Sequence, residues 1–435
     1  MKTNQPVLIS ILLTSAVVGC KQTDNKVYHQ PTPPQYEAVY DRSTAPLQIE
    51  IEQSLERPAN LNLSRIASQL EYYTVGDARF PVTQAIEIPD NNAFITFNYP
   101  RIYYRKQDVP SKRYGFKALA YKWNNDMNKI NLFYDKKTTR MYCALSGLDQ
   151  NNKEEAAPYI GELPPLDTLL KIQNYIFPEN IAIKYPLHLT QDRLLGFSSS
   201  GYSLCHYEGD AGEPNGIITF NLQGDTLCKF ILKEPASAAK RWQTDSIPSF
   251  QTSSWNNEQN KMTFIIPFCD TIYRLLDSRT ISPLYALNLG EKSISGDQLT
   301  QPVANGKIWL RTCYENPKSV CIGLRQKGAP EITNWLGYTD EYKPALTHRI
   351  VYLKEDGKTY ALPRNPGGFI NDIDDGLAFW PDGQTDDCLY MIRSVTEMRE
   401  TVKRTGSTRQ QELLRFLDNP QVHERDYVMI VARIK

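Results

Sequence analysis

From about Leu47 to the C-terminus, apolar and polar positions alternate with a period of two over short runs rich in Tyr, Ile, Phe, Leu and Thr. Turn clusters separate the runs, and stripes at helical spacing are few. A period of two puts alternate side chains on one face, so the pattern predicts a meander of antiparallel strands. Ala93–Phe97 is one such run, and Lys129–Tyr134 and Thr139–Leu145 flank the turn Asp135–Thr138. Hairpins are predicted for Ile217–Leu222 with Thr226–Leu232, for Met262–Ile266 with Thr271–Leu276, and for Arg349–Leu353 with Lys358–Leu362. The last carries Asp356-Gly357, a pair that readily supplies left-handed turn backbone. Helical periodicity is confined to Pro165–Gln173, Ser394–Lys403 and Arg409–Leu417, the last two split by Thr405-Gly406-Ser407.

So many strands need their edges hidden. A sandwich uses about 100 residues, and no Pro/Gly-rich linker divides this longer chain into separate sandwiches after Leu47. Radial repetition of small sheets leaves short, protected edges, so the expected fold class is all-β, a six-bladed β-propeller with short helical inserts. About 390 residues would then fold, roughly 65 per blade, and the excess over compact repeats of about 40–50 goes to loops and inserts. The chain ends on a strand, Tyr427–Ile434. A propeller ring closes when one blade combines strands from both ends, and this strand can serve.

The first residues follow a different pattern: Lys2, then an unbroken apolar run from Val7 to Val18. As a helix the run would be roughly 18 Å long, short of a bilayer core of about 30 Å, so it reads as a secretory signal and not as a membrane span. Val17-Val18-Gly19-Cys20 resembles the bacterial lipobox. The resemblance implies removal of residues 1–19, diacylation of the Cys20 sulfur and acylation of its new amine. Each buried CH₂ contributes about 0.8 kcal/mol, so three acyl chains hold a protein on a membrane. Lys21–Pro46 is polar, with Pro31, Pro33, Pro34 and Pro46, and is expected to be a semi-rigid tether that packs little. The organisation expected is a signal peptide (1–19), a lipidated Cys with tether (20–46) and a propeller (47–435), lipid-anchored in a bacterial cell envelope, at the outer membrane.

Composition narrows the partners. Of 435 residues, 41% are apolar and 23% charged, with 49 basic against 49 acidic, which is globular and neutral. Disorder is excluded, and no basic surplus exists to neutralise phosphates, so nucleic acid is not an expected partner. Beyond Cys20 the seven cysteines are widely spaced with no Cys-x-x-Cys pair, which fits buried thiols better than a disulfide framework or a zinc site. Cys313 and Cys321 flank a turn centred near Pro317 and are the candidate disulfide, facing each other across a hairpin.

Four stretches resemble the six-bladed β-propeller lipoproteins of unknown function found in Bacteroides and related gut bacteria. They are Leu63–Tyr72, Ile266–Leu275, the acidic turn Asn371-Asp372-Ile373-Asp374-Asp375-Gly376, and the closing strand Val428–Lys435. The resemblance implies fold and location, and no reaction. Relatives displayed on the cell surface carry an acidic run after the lipid Cys; here Asp24 stands alone, which leaves the leaflet open.

Motifs that name a chemistry are absent: there is no His-Glu-x-x-His, P-loop, Gly-x-Ser-x-Gly or Gly-x-Gly-x-x-Gly, and no cofactor is expected. Gly196–Gly201 has the wrong spacing for a nucleophile elbow and reads as a turn. His29, His188, His206, His348 and His423 are scattered, so no metal site is expected from them. The acids Asp372, Asp374, Asp375, Asp382, Asp386 and Asp387 could offer oxygen to Ca²⁺, but Ile373 falls where a ligand belongs; the favoured reading is Asp side chains capping turn amides. Six Trp and 26 Tyr are mostly expected as blade packing, and no catalytic residue is nominated. The function expected is a binding module for a protein, peptide or glycan partner, held at the membrane by its lipid anchor. The alternative is a propeller-fold hydrolase or lyase acting on a polysaccharide or peptide, which a carboxylate pair or a cluster with Arg would favour.

Overall fold

The computed structural model describes residues 33–77, 84–88, 93–98, 101–106, 109–115, 130–135, 138–148, 155–163, 165, 168, 183–184, 194–198, 202–207, 216–221, 223–231, 254–256, 262–265, 269–294, 306–326, 346–385 and 387–435. Strands β1 (Val39–Tyr40) and β2 (Leu47–Glu50), helix α1 (Ile51–Glu56) and strand β3 (Ala67–Asp77) come first. Sheets then follow in chain order, each an antiparallel meander. The first holds β4 (Gln84–Ile88), β5 (Ala93–Asn98), β6 (Arg101–Lys106) and β7 (Val109–Gly115). The second holds β8 (Ile130–Asp135), β9 (Arg140–Leu148), β10 (Glu155–Glu162) and β11 (Ile183–Lys184). The third holds β12 (Leu194–Ser198), β13 (Tyr202–Tyr207), β14 (Gly216–Phe220) and β15 (Thr226–Ile231). The fourth is built on β16 (Ser254–Asn256), β17 (Met262–Ile265), β18 (Thr271–Leu275) and β19 (Thr280–Asn288). The fifth holds β20 (Ile308–Glu315), β21 (Ser319–Gln326), β22 (Leu346–Leu353) and β23 (Lys358–Ala361). The sixth orders β24 (Gly383–Gln384), β25 (Cys388–Ser394) and β26 (Asp426–Ile434), with β3 on the far side of β26.

The arrangement is all-β and propeller-like. Each sheet touches the next: β4 meets β8, β8 meets β12 and β12 meets β16. Ile217 and Phe230 of the third sheet pack on Phe264 and Leu275 of the fourth. Ile265 and Leu287 pack on Leu310 and Ile322 of the fifth, and Cys321 and Val351 of the fifth share a core with Met391 and Ile430 of the sixth. The sixth returns to the first through Tyr73, Met429 and Val431 against Phe94 and Ala85. Flanked on both faces, β26 reads as the continuous apolar run Val428–Ala432, all five at 2% exposure or less.

The terminal strand closes the arrangement as its sequence suggested. β26 pairs antiparallel with β25 (Cys388↔Arg433 to Ser394↔Tyr427) and with β3 (Asp426↔Asp77 to Ile434↔Ala67), so the last strand and the early strand β3 meet in one sheet. The Asp356-Gly357 turn is also where expected: Gly357 sits at φ +66, and its N–H donates to Leu353 O at 3.0 Å in a four-residue loop. Between β25 and β26 lie helices α2 (Val395–Thr401) and α3 (Gln411–Leu417). The Ser394 hydroxyl caps α2 by accepting from Glu397 N at 3.1 Å. Among the described residues no helix is long and apolar enough to cross a membrane. Of the expected helix Pro165–Gln173, all but Pro165 and Thr168 lies outside the described residues, as do Cys20 and residues 21–32.

Two expectations are corrected. The tether does not run free to Pro46: Tyr36 N donates to Leu227 O at 2.9 Å, and β1 and β2 pair in parallel with β19. The cause is the outer edge of β19, whose unpaired backbone groups the incoming chain satisfies. Nor do Cys313 and Cys321 face each other. Asn316 Oδ1 accepts from Lys318 N (2.9 Å) and Ser319 N (2.8 Å), which centres the turn between Pro317 and Lys318. The half-residue shift sets Cys313 opposite Ile322 and Cys321 opposite Tyr314. Both are free thiols in different core clusters, and burial pushes Cys321 up to about 12.

Two buried ion clusters tie neighbouring sheets. Glu315 at the end of β20 accepts from Arg274 Nη2 of the fourth sheet (2.9 Å), from Lys354 Nζ (2.8 Å) and from Tyr285 Oη (2.5 Å). Burial opposes its charge, but Lys354, Tyr285 and Arg274 outweigh it and hold the carboxyl below its usual range. At the closing seam Arg433 of β26 bonds Glu71 of β3 through Nε (3.0 Å) and Nη2 (2.9 Å), and through Nη1 it bonds Glu87 of β4. Thr385 Oγ1 donates to the same Glu87 at 2.5 Å.

Candidate functional site

The acidic turn expected to cap backbone amides does so. Phe369 and Phe379, both fully buried, bond to each other through both backbone pairs (2.8 and 3.0 Å) and pin the base of a loop that carries the turn. Within it Asn371 Oδ1 accepts from Ile373 N and Asp374 N (both 3.3 Å), and Asp374 Oδ1 accepts from Gly376 N at 3.0 Å. Asp372 accepts from Ser64 N (2.9 Å) and Ser64 Oγ (2.6 Å), while Tyr72 donates its hydroxyl to Asp374. The Asp oxygens are therefore occupied by the protein's own donors. Among the described residues no group of three His, Cys, Asp or Glu is placed to hold a metal ion.

The same pinned loop delivers the site. After Phe379 the chain buries Trp380, turns at Pro381 and presents Asp382, whose side chain is 42% exposed. The backbone of Asp382 is clamped, since its N–H donates to Tyr390 O (2.8 Å) and its carbonyl accepts from Tyr314 Oη (2.9 Å). Gly383 follows because Tyr390 lies where a Cβ would stand, 2.2 Å away. Asp382 Oδ2 then accepts from Ile392 N (2.8 Å) and from Arg393 Nη1 (2.7 Å). Arg393 is buried, with 6% of its side chain exposed, at the end of β25.

Two further charges join this pair. Arg349, in the middle of β22, lays its guanidinium 5.7 Å from the centre of the Trp380 ring. Gly367, at φ +76, gives it room: a Cβ there would come within 2.7 Å of Arg349 Nη1. No acceptor among the described residues bonds the Arg349 guanidinium, and its Nε is buried without a partner. Burial and the nearby Arg393 disfavour its charge, and Asp382 opposes them. Glu397, in the first turn of α2, carries a half-buried carboxyl with no hydrogen bond among the described residues. Burial raises it above the usual carboxylate range, Arg393 works against the rise and Asp382 adds to it.

Arg349 in β22, Asp382 just before β24, Arg393 near the end of β25 and Glu397 in α2 thus form one electrostatic group, with Arg349 over Trp380. One guanidinium and one carboxyl are committed to each other, and one of each is not. Apart from Asp382, which stood in the acidic run, sequence reasoning missed these residues. The available signal was Arg349 beside the apolar run Ile350–Leu353. Other nominated groups do not converge on the site: His348 Nε2 lies 2.7 Å from Gln326 Oε1, and burial, Arg364 and Lys292 press it down to about 4. Of the run Gly196–Gly201, Gly196–Ser198 lies in β12, paired with β13, and residues 199–201 lie outside the described residues.

The profile of a domain of unknown function, DUF4933, matches residues 31–404. The chain belongs to the DUF4933 family. No curated protein matches this DUF4933 chain. Among solved structures, a Bacteroides fragilis protein described as exported is similar at TM-score 0.52 with 12% identity, covering 89% of this chain and 99% of its own. A DUF4221 member from Bacteroides vulgatus gives 0.42 with 11% identity, covering 85% and 97%. The virginiamycin B lyase of Staphylococcus aureus gives 0.37 with 9% identity, covering 84% and 99%. The first likeness carries the fold alone, and none carries an activity.

Proposed function

We propose that this DUF4933 protein is an exported, lipid-anchored envelope protein whose six sheets are the blades of a propeller that binds a partner at the Arg349–Glu397 group. One observation carries the binding reading. Among the described residues Arg349 has no acceptor, with its Nε buried, and Glu397 has no donor, and both are at least half-buried. Polar groups held out of water without partners are costly to a fold, and a ligand that satisfies them recovers that cost. The clamped backbone of Asp382 and the indole under Arg349 preorganise the group, as a binding site requires. The resemblance of Val17–Cys20 to a lipobox, and of the fold to a protein described as exported, supports the envelope location.

Asp382 and Glu397 also favour the second reading, a hydrolase or lyase. Two carboxyls whose surroundings differ, one in an ion pair and one without, are the pattern of an acid and base pair.

The anchor is tested by mass spectrometry of the mature N-terminus, where a triacylated Cys20 is expected; an unmodified Cys20, or a start beyond it, removes the anchor. The binding site is tested by probing glycan and peptide arrays with the full chain and with Arg349→Ala. Ligands held by the first and lost by the second are expected. An array on which nothing binds, or on which Arg349→Ala changes nothing, overturns the reading.

A further inference from the structure

We infer that the Arg349–Glu397 group takes an acidic sugar, the uronate unit of a polysaccharide, with the sugar carboxylate on Arg349 and its ring hydroxyls on Asp382 and Glu397. The inference rests on the binding reading above and names the ligand class.

The chemistry of the unused groups sets the requirement. Arg349 lies against Trp380 and offers a planar fork of donors, which matches a carboxylate in two parallel hydrogen bonds. An anion placed there also offsets the repulsion between Arg349 and Arg393. The open acceptors beside it are different in kind. Asp382 uses Oδ2 for Ile392 and Arg393, leaving Oδ1 on an exposed side chain, and Glu397 uses neither oxygen. Trp380, which carries Arg349, stands two residues before Asp382, so the ligand must bring one anion and neutral donors beside it. A uronate does so in one ring: its carboxylate sits beside carbons that bear hydroxyls. A hydroxyl both donates and accepts, so it suits Asp382, bonded to Arg393, and also Glu397, whose carboxyl holds its proton to higher pH than usual. A neutral glucan lacks the anion. An acidic peptide side chain brings its carboxylate without neighbouring hydroxyls, so the open acceptors of Asp382 and Glu397 gain no hydroxyl donors from it.

The experiment is isothermal titration calorimetry of the full chain in detergent micelles at about 0.15 M salt, where long-range attraction is screened beyond about 8 Å. The probes are polygalacturonate, dextran as a neutral glucan and poly-L-glutamate as an acidic peptide. Polygalacturonate is expected to bind, and Arg349→Ala to weaken it by about tenfold or more, the usual effect of losing a charge-assisted pair. Arg349→Lys, which keeps the charge but not the fork, is expected to fall between. Glu397→Gln keeps an acceptor and is expected to bind at pH 7 while losing the pH dependence of affinity. Variants are compared only where their thermal melts match the wild type, and the lysine and glutamine variants serve where the alanine variant unfolds.

Binding of dextran or poly-L-glutamate as tight as that of polygalacturonate overturns the uronate assignment. If Arg349→Ala abolishes that binding, the binding reading stands. Absence of polygalacturonate binding, or wild-type affinity in both Arg349 variants, also overturns the assignment. New reducing ends released from polygalacturonate would keep the uronate and replace the binding reading with the enzyme one.

Discussion

Deleting Asp426–Lys435 is expected to abolish the cooperative thermal unfolding of this protein. The segment contributes Val428, Met429, Ile430 and Val431 to the interior, all at 2% exposure or less. At about 1.5–3 kcal/mol for each large buried side chain, their loss removes about 6–12 kcal/mol. The entire stability of a native fold is about 5–15 kcal/mol. The deletion also strips β25 and β3 of their shared neighbour, so two inner edges are exposed at once and β3 loses its junction with the last sheet. Near-ultraviolet circular dichroism through a thermal ramp measures the outcome. The control is deletion of residues 33–41, which removes β1 from the outer edge of β19 and should leave one cooperative transition. If the C-terminal deletion keeps a sharp melt, closure by β26 is not what holds the sheets together.

That strand was among the most legible parts of the chain, and the reason is physical. A strand covered on both faces must be apolar throughout, and Val428–Ala432 announces this without any knowledge of its neighbours. Hairpin turns were legible for a similar reason, since Asp356-Gly357 carries a backbone requirement in its own side chains. The half-residue shift at Asn316–Ser319 was not, because it depends on Asn316 Oδ1 reaching two amides, and a Pro-Lys dipeptide does not reveal that. Docking of residues 35–41 was hidden too: a Pro-rich segment looks like a tether until a sheet edge is available to receive it. The candidate site was nearly invisible. Arg349, Trp380, Asp382, Arg393 and Glu397 come from separate strands, a loop and a helix, and their proximity is created by the meeting of the fifth and sixth sheets. Only in the folded chain does it become visible that Arg349 and Glu397 have no hydrogen-bond partners among the described residues.

Substituting Arg433 by methionine is expected to cost about 3–5 kcal/mol at pH 7, the usual effect of removing one member of a buried ion cluster. Among the described residues Arg433 is the single cation bonded to both Glu71 and Glu87, and all three are largely buried where the sixth sheet meets the first. Methionine fills the space of the stem but leaves two carboxylates without a counter-charge, which burial makes costly. The pH dependence separates this from a simple packing loss. Burial alone would raise the Glu71 carboxyl, but bonds from Arg433, Tyr73 and Gln69 bring it below its usual range. A depressed carboxylate stabilises the fold above its unfolded value, about 4.3, and that contribution fades as pH falls through the lower folded value. In the methionine variant the depressing cation is gone, and protonation of Glu71 relieves the penalty. The stability gap between wild type and variant is therefore expected to be widest near pH 7 and to narrow as pH falls toward 4. Urea unfolding at several pH values measures it, and adding Glu71→Gln to the variant should restore part of the loss at pH 7. A gap that stays constant from pH 7 to 4, with no recovery in the double variant, would show that Arg433 acts through its stem and not through its charge.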